Sequence, residues 1–279
     1  MLSYRHAFHA GHAADVLKHA VYVFILRYMQ QKDGGMLLLD THAGAGEYDL
    51  AAPEAQKTGE FHDGVERLLA ASAEPPALIA DYLALLRGQA DYTALRRYPG
   101  SPALAAALMR PQDRAVLCEL HPTDHAHLAR WARGRRRVSV RREDGLSALP
   151  TLLPPPERRA LTVIDPSYEV KSDYGAVVDA VEAAWRRFPA GVFLLWYPVV
   201  DRARIDGMEV SFRAGPVRKL FRLELGIAPD APGRGMTASG LFVVNPPFTL
   251  PDAAAAALPW LTEALGARGP RRADWVVPE

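Results

Sequence analysis

The stretch LTVIDPSY, residues 161–168, joins a short apolar run to an acid, a proline and an aromatic residue. The apolar part is too short for a helix and follows three prolines at 154–156, which favours a buried strand ending at Asp165. Pro166 fixes its own φ angle and biases Asp165 toward an extended conformation. The Asp165 carboxylate, the Pro166 carbonyl and the Tyr168 ring can then converge on a flat, hydrogen-bonding ligand. A strand end followed by an ordinary turn is the simpler alternative.

The composition is that of an ordinary globular protein. Of the 279 residues, 49% are hydrophobic and 23% are charged. No apolar run approaches the roughly 20 residues of a membrane span, and the polar N-terminus lacks the apolar core of a signal peptide. We therefore expect a cytoplasmic protein without a membrane partner, and we expect a monomer.

The single cysteine and the charged residues narrow the possible chemistry. Cys118 excludes an intrachain disulfide, and the apolar run around it predicts a buried thiol. The net charge of +1 does not by itself indicate a nucleic-acid binder. The arginines are nevertheless clustered. Such clusters are usually solvated surfaces, but together they could form a local phosphate-binding surface.

A second stretch, residues 36–46, reads MLLLDTHAGAG and places an acid and a glycine loop after an apolar strand. This order is typical of the first unit of a nucleotide-binding α/β sheet. The D-x-x-x-G-x-G spacing from Asp40 lacks the G-x-G-x-x-G pattern that binds dinucleotides, and it is similar to loops that hold S-adenosylmethionine. Gly44 fits that spacing, whereas His42 stands where many such loops have their first glycine.

The rest of the chain alternates predicted strands and helices. Apolar runs predict further strands at residues 115–120, 138–140, 161–164 and 191–196. Helices are predicted between them, over residues 125–133, 147–153 and 177–188. Runs at 219–225 and 241–244, joined by a loop that contains residues 234–237, predict an antiparallel hairpin at one sheet edge. We expect one Rossmann-like α/β domain over residues 1–279, with a mainly parallel sheet and an antiparallel C-terminal edge.

The distance between the first two strands indicates an insertion. The second strand of a compact sheet of this type is expected about 20 residues after the first, and here it starts only at residue 115. Helical patterns fill residues 59–97, which predicts a small helical subdomain inserted over residues 50–98. After it, Ser101 as N-cap and Pro102 at the first helical position predict a helix through about Met109.

The N-terminal arm is rich in histidine and leads into an amphipathic helix from about Ala13. No carboxylate or thiol completes a set at metal-ligand spacing, so we expect no metal. Polar contacts to a substrate or cofactor are the favoured interpretation of these histidines, which are His6, His9, His12 and His19.

Four of the predicted strands lead into acids, which are Asp40, Glu119, Asp144 and Asp165. Ligands of such sheets bind at the carboxyl ends of the strands, so these acids predict one site. The first three suit a cofactor with a ribose, an adenine amino group and a cationic sulfonium, which leaves Asp165 for the substrate. Asn245, in the sequence NPPF, is a competing candidate and is the better motif. It follows an antiparallel strand remote from the cofactor strands, so topology favours Asp165.

The residues after the strand at 161–164 suit an exocyclic adenine amine as methyl acceptor. Hydrogen bonds from that amine to the Asp165 carboxylate and the Pro166 carbonyl would localise its lone pair on nitrogen. The carboxylate can also accept the proton, a role typically worth about 10²–10⁴-fold. Tyr168 would stack on the base for roughly 1–3 kcal/mol. A looped or unpaired adenine is the easier target because extrusion from a helix costs a few kcal/mol.

Seven segments spread over residues 1–279 together resemble the RlmJ family of bacterial 23S rRNA adenine-N6 methyltransferases. They are MLSYRHAFHAG, LDTHAGAG, YPGSP, IDPSY, LWYPVV, RGMTASGL and WVVPE. The resemblance implies S-adenosylmethionine as cofactor, 23S rRNA as partner and N6-methyladenosine as product. Members of the wider adenine-N6 group usually have a second proline where this chain has Ser167.

Carried over position by position, the resemblance implies a set of functional residues. Asp165 is the implied proton acceptor, and Tyr4 the implied substrate contact in an arm that acts as a lid. The implied cofactor site contains His19, His42, Ser101, Glu119, Asp144, Gly145 and Asp165. We add Lys18, Asp40 and Gly44 to the predicted cofactor set. An adenine-N6 methyltransferase of DNA or of another RNA, a protein-amide methyltransferase and a non-catalytic RNA-binding module remain alternatives.

Overall fold

The computed structural model of the chain describes residues 4–231 and 235–279, so Arg234 of the predicted loop and the first three residues of the arm lie outside it. The strands within it are β1 (Leu37–Asp40), β2 (Glu47–Asp49), β3 (Arg97–Pro99), β4 (Arg114–Cys118), β5 (Val138–Arg141), β6 (Ala160–Ile164), β7 (Val192–Val199), β8 (Leu220–Gly226), β9 (Ala238–Val244) and β10 (Arg271–Val277). The helices are α1 (Ala13–Met29), α2 (Pro53–Thr58), α3 (Val65–Ala70), α4 (Ala77–Arg87), α5 (Ala90–Thr93), α6 (Ser101–Leu108), α7 (Pro122–Trp131), α8 (Gly145–Leu152), α9 (Asp173–Arg187), α10 (Arg202–Ala214) and α11 (Leu250–Leu265).

One sheet of eight strands, in the order β10-β8-β9-β7-β6-β1-β4-β5, organises the described residues. The five neighbouring strands β7, β6, β1, β4 and β5 run parallel to one another. β9 is antiparallel to β7 and β8, and β10 is antiparallel to β8. The predicted mainly parallel sheet with an antiparallel C-terminal edge is confirmed.

The predicted antiparallel pairing of β8 with β9 is confirmed, but the prediction that this pair forms the edge of the sheet is wrong. That edge is β10, which the sequence pattern does not predict as a strand. Its inward-facing residues include Arg272 and Asp274, opposite Glu224 and Arg222 of β8, so charges replace the apolar alternation that marks most half-buried strands.

Helices cover both faces of the sheet and form two hydrophobic cores. Leu38 belongs to the core with α1, α4, α6 and α11, whereas Leu37 and Leu39 belong to the core with α8, α9 and α10. Successive side chains of a strand point to opposite faces, which explains this division. β1 and β6 are buried at every position because helices cover both faces of the parallel part of the sheet.

The region between β1 and β4 contains the antiparallel pair of β2 and β3, helices α2 to α5 between those two strands, and α6. α4 packs on α1 and α11. Ile79 and Tyr82 of α4 share one core with Leu17 and Val21 of α1. The insertion is therefore packed into the main core, and its separation as a subdomain over residues 50–98 stays a prediction.

Two helices differ from the sequence expectations. The N-cap of α6 is Gly100, so the prediction of Ser101 is wrong: the Ser101 hydroxyl donates a hydrogen bond to Asp40 (2.6 Å). The sequence pattern does not predict α10, because this helix buries only a narrow apolar stripe of Ile205, Met208 and Phe212.

In the described part of the chain, no helix is long and apolar enough to cross a membrane.

Candidate active site

A cavity of about 880 Å³ opens at the carboxyl ends of β1, β4, β6 and β7. Parallel strands end at the same edge of a sheet, so the cavity collects residues that are far apart in the chain. It is lined by twelve of the predicted site residues, namely Tyr4, Lys18, His19, His42, Gly44, Ser101, Glu119, Asp144, Gly145, Asp165, Pro166 and Tyr168.

Asp40 is the one predicted site residue that does not line the cavity. It is 4% exposed. Its carboxylate accepts hydrogen bonds from the backbone N–H of His42 (3.1 Å) and from the Ser101 hydroxyl (2.6 Å). Burial raises the pKa of Asp40 to about 6, although these two hydrogen bonds oppose the rise. Asp40 holds two residues that do line the cavity, and its contact with the cofactor stays a prediction.

The glycine loop after β1 is tied to the end of β4. Gly44 has a φ of +58°, a left-handed conformation that favours glycine. Its N–H donates to one Glu119 carboxylate oxygen (2.8 Å), while the other accepts from the N–H of His121 (2.7 Å). Burial raises the pKa of Glu119 above its ordinary value. The loop and the acid predicted from separate strands therefore form one wall of the cavity.

Helix α8 contributes the adjoining wall through its first residues. Asp144 is the N-cap: its carboxylate accepts from the N–H of Leu146 (3.0 Å) and from the Ser147 hydroxyl (2.9 Å). A Cβ at Gly145 would lie 2.2 Å from the carbonyl oxygen of Thr41. Only glycine allows α8 to approach the loop after β1 this closely.

Lys18 lies between two carboxylates at the end of β6. Its ammonium is 2.8 Å from Asp15 and 2.5 Å from Asp165. Burial alone would lower the pKa of Lys18, but the Asp15 and Asp165 carboxylates outweigh it and raise this pKa above its ordinary value. Sequence reasoning assigned Lys18 to the cofactor and missed Asp15. An acid three positions before a lysine on the same helix is the signal that could have indicated the pair.

The aromatic side chains at the other end of the cavity hold one another in place. The Tyr168 hydroxyl donates to the carbonyl oxygen of Trp196 (2.7 Å), and its ring lies 4.5 Å from that of Tyr174. The indole N–H of Trp196 donates to the Ser239 hydroxyl (2.9 Å). Trp196 also lines the cavity, and sequence reasoning gave it no role although it placed Trp196 at the end of a strand.

The N-terminal arm crosses the cavity. The backbone N–H of Tyr4 donates to Glu169 (2.9 Å), the Tyr4 ring stacks on His9 (5.4 Å), and His9 lies 3.0 Å from Glu60. His6 connects the arm to the lysine cluster, with its Nε2 2.9 Å from Asp15. The arm therefore contacts both the segment after Tyr168 and the insertion.

His19 and Asn245 are held by contacts within the fold. His19 lies 2.8 Å from the Tyr98 hydroxyl, and burial lowers its pKa to about 3, so its imidazole is neutral. Asn245, the competing motif, does not line the cavity: its amide donates to the carbonyl oxygens of Pro189 (2.8 Å) and Gly191 (2.7 Å). Among residues 4–231 and 235–279, no cluster of three or more His, Cys, Asp or Glu is arranged to hold a metal.

A parallel sheet with a glycine loop after β1, an acid after β4 and a ligand cavity at this edge is the architecture of Rossmann-like methyltransferases that use S-adenosylmethionine, and this chain is one of them. A family model described as "Ribosomal RNA large subunit methyltransferase D, RlmJ" matches residues 33–277. The chain belongs to this RlmJ family, as its sequence motifs predict.

Individual relatives extend the match over the whole chain. The chain is 44% identical over 281 residues to "Ribosomal RNA large subunit methyltransferase J" of Escherichia coli (strain K12). It is 43% identical over 283 residues to the protein of that name in Haemophilus influenzae, and 100% of each chain is covered in both cases. A crystal structure of a Legionella pneumophila protein matches with a TM-score of 0.87 and 36% identity, covering 95% of this chain and 98% of that one.

Proposed function

We propose that this chain transfers the methyl group of S-adenosylmethionine to the N6 amine of an adenine in 23S ribosomal RNA. The observation that carries the proposal is the position of Asp165 and Pro166 in the same cavity as Gly44, Glu119 and Gly145. A substrate end and a cofactor end therefore meet in one cavity. The names of the two curated relatives, both ribosomal RNA large subunit methyltransferases, support the RNA substrate.

The residues of the cofactor end fit S-adenosylmethionine. Gly44 and Gly145 present backbone without side chains to the cavity, and the packing requires glycine at both positions, since a Cβ at Gly44 would lie 2.1 Å from the Tyr48 hydroxyl and one at Gly145 would meet Thr41. Glu119 and Asp144 are carboxylates that would hold hydroxyl and amino groups. When bound there, S-adenosylmethionine supplies an electrophilic methyl group.

Asp165 and Pro166 would orient the acceptor amine. Lys18 engages Oδ2 of Asp165, and within the described residues Oδ1 has no hydrogen-bond partner, so Oδ1 can accept from the amine. The Pro166 carbonyl can accept the second N–H. Two such acceptors direct the nitrogen lone pair away from the ring, and the carboxylate can take the released proton. Tyr168 and Trp196 would flank the base, for roughly 1–3 kcal/mol per stacked base.

The decisive experiment compares two matched variants with protein-free 23S rRNA and labelled S-adenosylmethionine. We expect N6-methyladenosine in the digested RNA, and a loss of at least about 100-fold in kcat for Asp165→Asn. Asn245→Ala is the control: it removes two hydrogen bonds remote from the cavity and should keep kcat near the wild-type value. Absence of N6-methyladenosine, or undiminished product from Asp165→Asn, contradicts the proposal.

The alternatives give distinct results in the same assay. Equal or better methylation of DNA in competition with 23S rRNA would reassign the substrate. A chain that binds rRNA but gives no heat of binding with S-adenosylmethionine in calorimetry would be a non-catalytic RNA-binding module.

A further inference from the structure

The segment from α7 to the end of β5 carries an unbalanced positive charge. Residues 125–142 contain seven arginines and no aspartate or glutamate, although the whole chain has 33 basic and 32 acidic side chains and a net charge of +1. The β5 edge patch consists of Arg130, Arg133, Arg135, Arg136, Arg137, Arg141 and Arg142, all of which are exposed. A local positive field of this kind attracts polyanions even when the net charge of the protein is near zero.

The patch lies on the outermost strand of the sheet and on the turn that leads to it. Val138 and Val140 of β5 pack against the core, whereas Ser139 and Arg141 are exposed. Among the described strands, β5 pairs with β4 alone, since it ends the sheet. The arginines therefore stand on an uncovered edge, where a large partner can approach.

Unpaired side chains are more frequent among the arginines of this patch than among the exposed arginines elsewhere in the described residues, where Arg158, Arg268 and Arg271 also lack a partner. Arg186 and Arg213 each pair with a glutamate four positions earlier on the same helix, as is usual for a solvated surface. Within residues 4–231 and 235–279, by contrast, the side chains of Arg130, Arg133, Arg136 and Arg142 have neither a hydrogen bond nor an ion pair. Their charges are available to a partner.

The segment from α7 to β5 that carries the patch is flanked at both of its ends by residues that line the cavity. α7 starts beside His121 and Asp124, which line the cavity, and β5 leads to Asp144 and Gly145, which line it too. A helix of ten residues is about 15 Å long, so the patch extends roughly that far from the cavity rim. An RNA with one nucleotide in the cavity could reach it.

The chemistry of the patch suits the backbone of double-helical RNA. Arginine binds phosphate oxygens with two parallel hydrogen bonds. Proteins that bind single strands add aromatic side chains on which bases stack. Trp131 is the segment's single residue among Phe, Tyr and Trp; the Arg135 guanidinium covers it at 4.2 Å, and it packs against Gly46. Double-stranded RNA, in contrast, is recognised mainly through its shape and phosphates.

We propose that the β5 edge patch binds the phosphate backbone of a double-helical segment of the same ribosomal RNA whose adenine enters the cavity. This inference rests on the proposed function. It adds a second binding surface that holds the RNA without reading its sequence.

The test compares two variants: one removes three unpaired arginine charges from the patch, and the other removes three arginine charges elsewhere on the protein. The patch variant combines Arg133→Gln, Arg136→Gln and Arg142→Gln. The control combines Arg186→Gln, Arg213→Gln and Arg271→Gln, on α9, α10 and the opposite sheet edge, with the same change in net charge. Binding of labelled 23S rRNA is measured by filter binding from low to high salt, together with kcat/KM and the melting temperature of each variant.

For the patch variant we expect a melting temperature like that of the wild type and RNA binding at least about tenfold weaker at low salt. The slope of log K against log salt should fall by about 3, one unit for each phosphate that is no longer bound, whereas the control keeps the wild-type slope. An unchanged slope in the patch variant, or an equal fall in the control, overturns the inference. The inference is also overturned if the patch variant binds ribosomal particles more weakly than the wild type does but binds protein-free RNA equally well. If the wild type itself forms no N6-methyladenosine, the proposed function fails instead.

Discussion

At the scale of single residues, the site depends on a buried cation between two carboxylates. Lys18 is 5% exposed at its side chain, and its partner Asp15 is 2% exposed. Charges withdrawn from water this far are stable only when they are paired. The cluster therefore fixes Asp165 at the end of β6, and it also couples α1 to the site.

Replacing Lys18 tests this pairing. Lys18→Met leaves Asp15 and Asp165 close together without their shared cation, so we expect the free energy of unfolding at neutral pH to fall by about 3–5 kcal/mol. Urea denaturation measures it. The control is Lys219→Met, which removes an exposed ion pair with Glu279 and should cost less than about 1 kcal/mol. Equal losses of stability in the two variants would contradict the structural role of Lys18.

Asp40 gives a prediction with a defined pH window. Its pKa is about 6 in the folded protein, against an ordinary value of 3.8. Between those values the folded state binds more protons than the unfolded state, so this carboxyl lowers the stability of the protein as pH rises. A pKa difference of about 2 corresponds to roughly 3 kcal/mol.

Asp40→Asn removes this titration. Relative to wild type, the variant should gain stability by up to roughly 3 kcal/mol as pH rises from about 4 to about 7, whatever its offset at low pH. Urea denaturation at several pH values measures the difference. The exposed acid Glu263 provides the control, because Glu263→Gln removes a carboxyl that already lies in water. If the difference in free energy of unfolding between Asp40→Asn and the wild type did not change with pH, burial would not raise the pKa of Asp40.

The residues of the site differ in how far sequence could reveal them. Asp165 and Glu119 follow apolar strands, and the periodicity of those strands fixes where the acids emerge. The contact between Lys18 and Asp165 spans 147 positions, and it depends on how α1 crosses the sheet. No local pattern contains that information, which is why sequence reasoning named Lys18 and Asp165 separately but not the contact between them.

At the scale of elements, the start of α8 is limited by backbone contact. Gly145→Ala would press a methyl group against Thr41, at distances from 2.2 to 2.6 Å. We expect a decrease of about 1–3 kcal/mol in stability, as is usual for overpacking, and weaker binding of S-adenosylmethionine. Thermal unfolding and calorimetry measure the two effects.

The matched control is Gly207→Ala, in the interior of α10. Apart from the backbone of α10 itself, no atom of the described residues lies within 4 Å of a Cβ at that position. The substitution should therefore stabilise the protein by about 0.5–1 kcal/mol through helix propensity alone. If both alanine variants changed stability in the same direction, the close approach of α8 to the loop after β1 would not be the cause.

Elements with an apolar face were predictable and those with charges on the buried face were not. β1, β4, β6 and β7 are apolar runs, so their order and direction follow from elementary sheet rules. β10 places Arg272 and Asp274 inward, where they meet Glu224 and Arg222. Its first two residues form one of the arginine clusters that the sequence alone indicates as solvated surfaces, since the charged partners of this strand are about 50 positions away in the chain.

At the scale of the whole molecule, the two edges of the sheet are protected differently. β5 carries exposed arginines, and such charges discourage pairing with another strand. β10 instead covers β8, whose Arg222 is 5% exposed and whose Glu224 is fully buried. β8 is buried at every position, so without β10 it would expose a long edge of unpaired backbone groups.

A chain that ends at Gly269 tests how far the whole fold depends on β10. It lacks Asp274, the bidentate partner of Arg222 at 2.9 and 2.6 Å, and it exposes the backbone edge of β8. We expect aggregation in size-exclusion chromatography and loss of the wild-type thermal transition. Asp274→Asn is the matched control, because it weakens the ion pair but keeps the strand: it should remain monodisperse and lose about 1–3 kcal/mol of stability. A shortened chain that elutes and melts like the wild type would mean that the parallel strands and their helices fold without this edge.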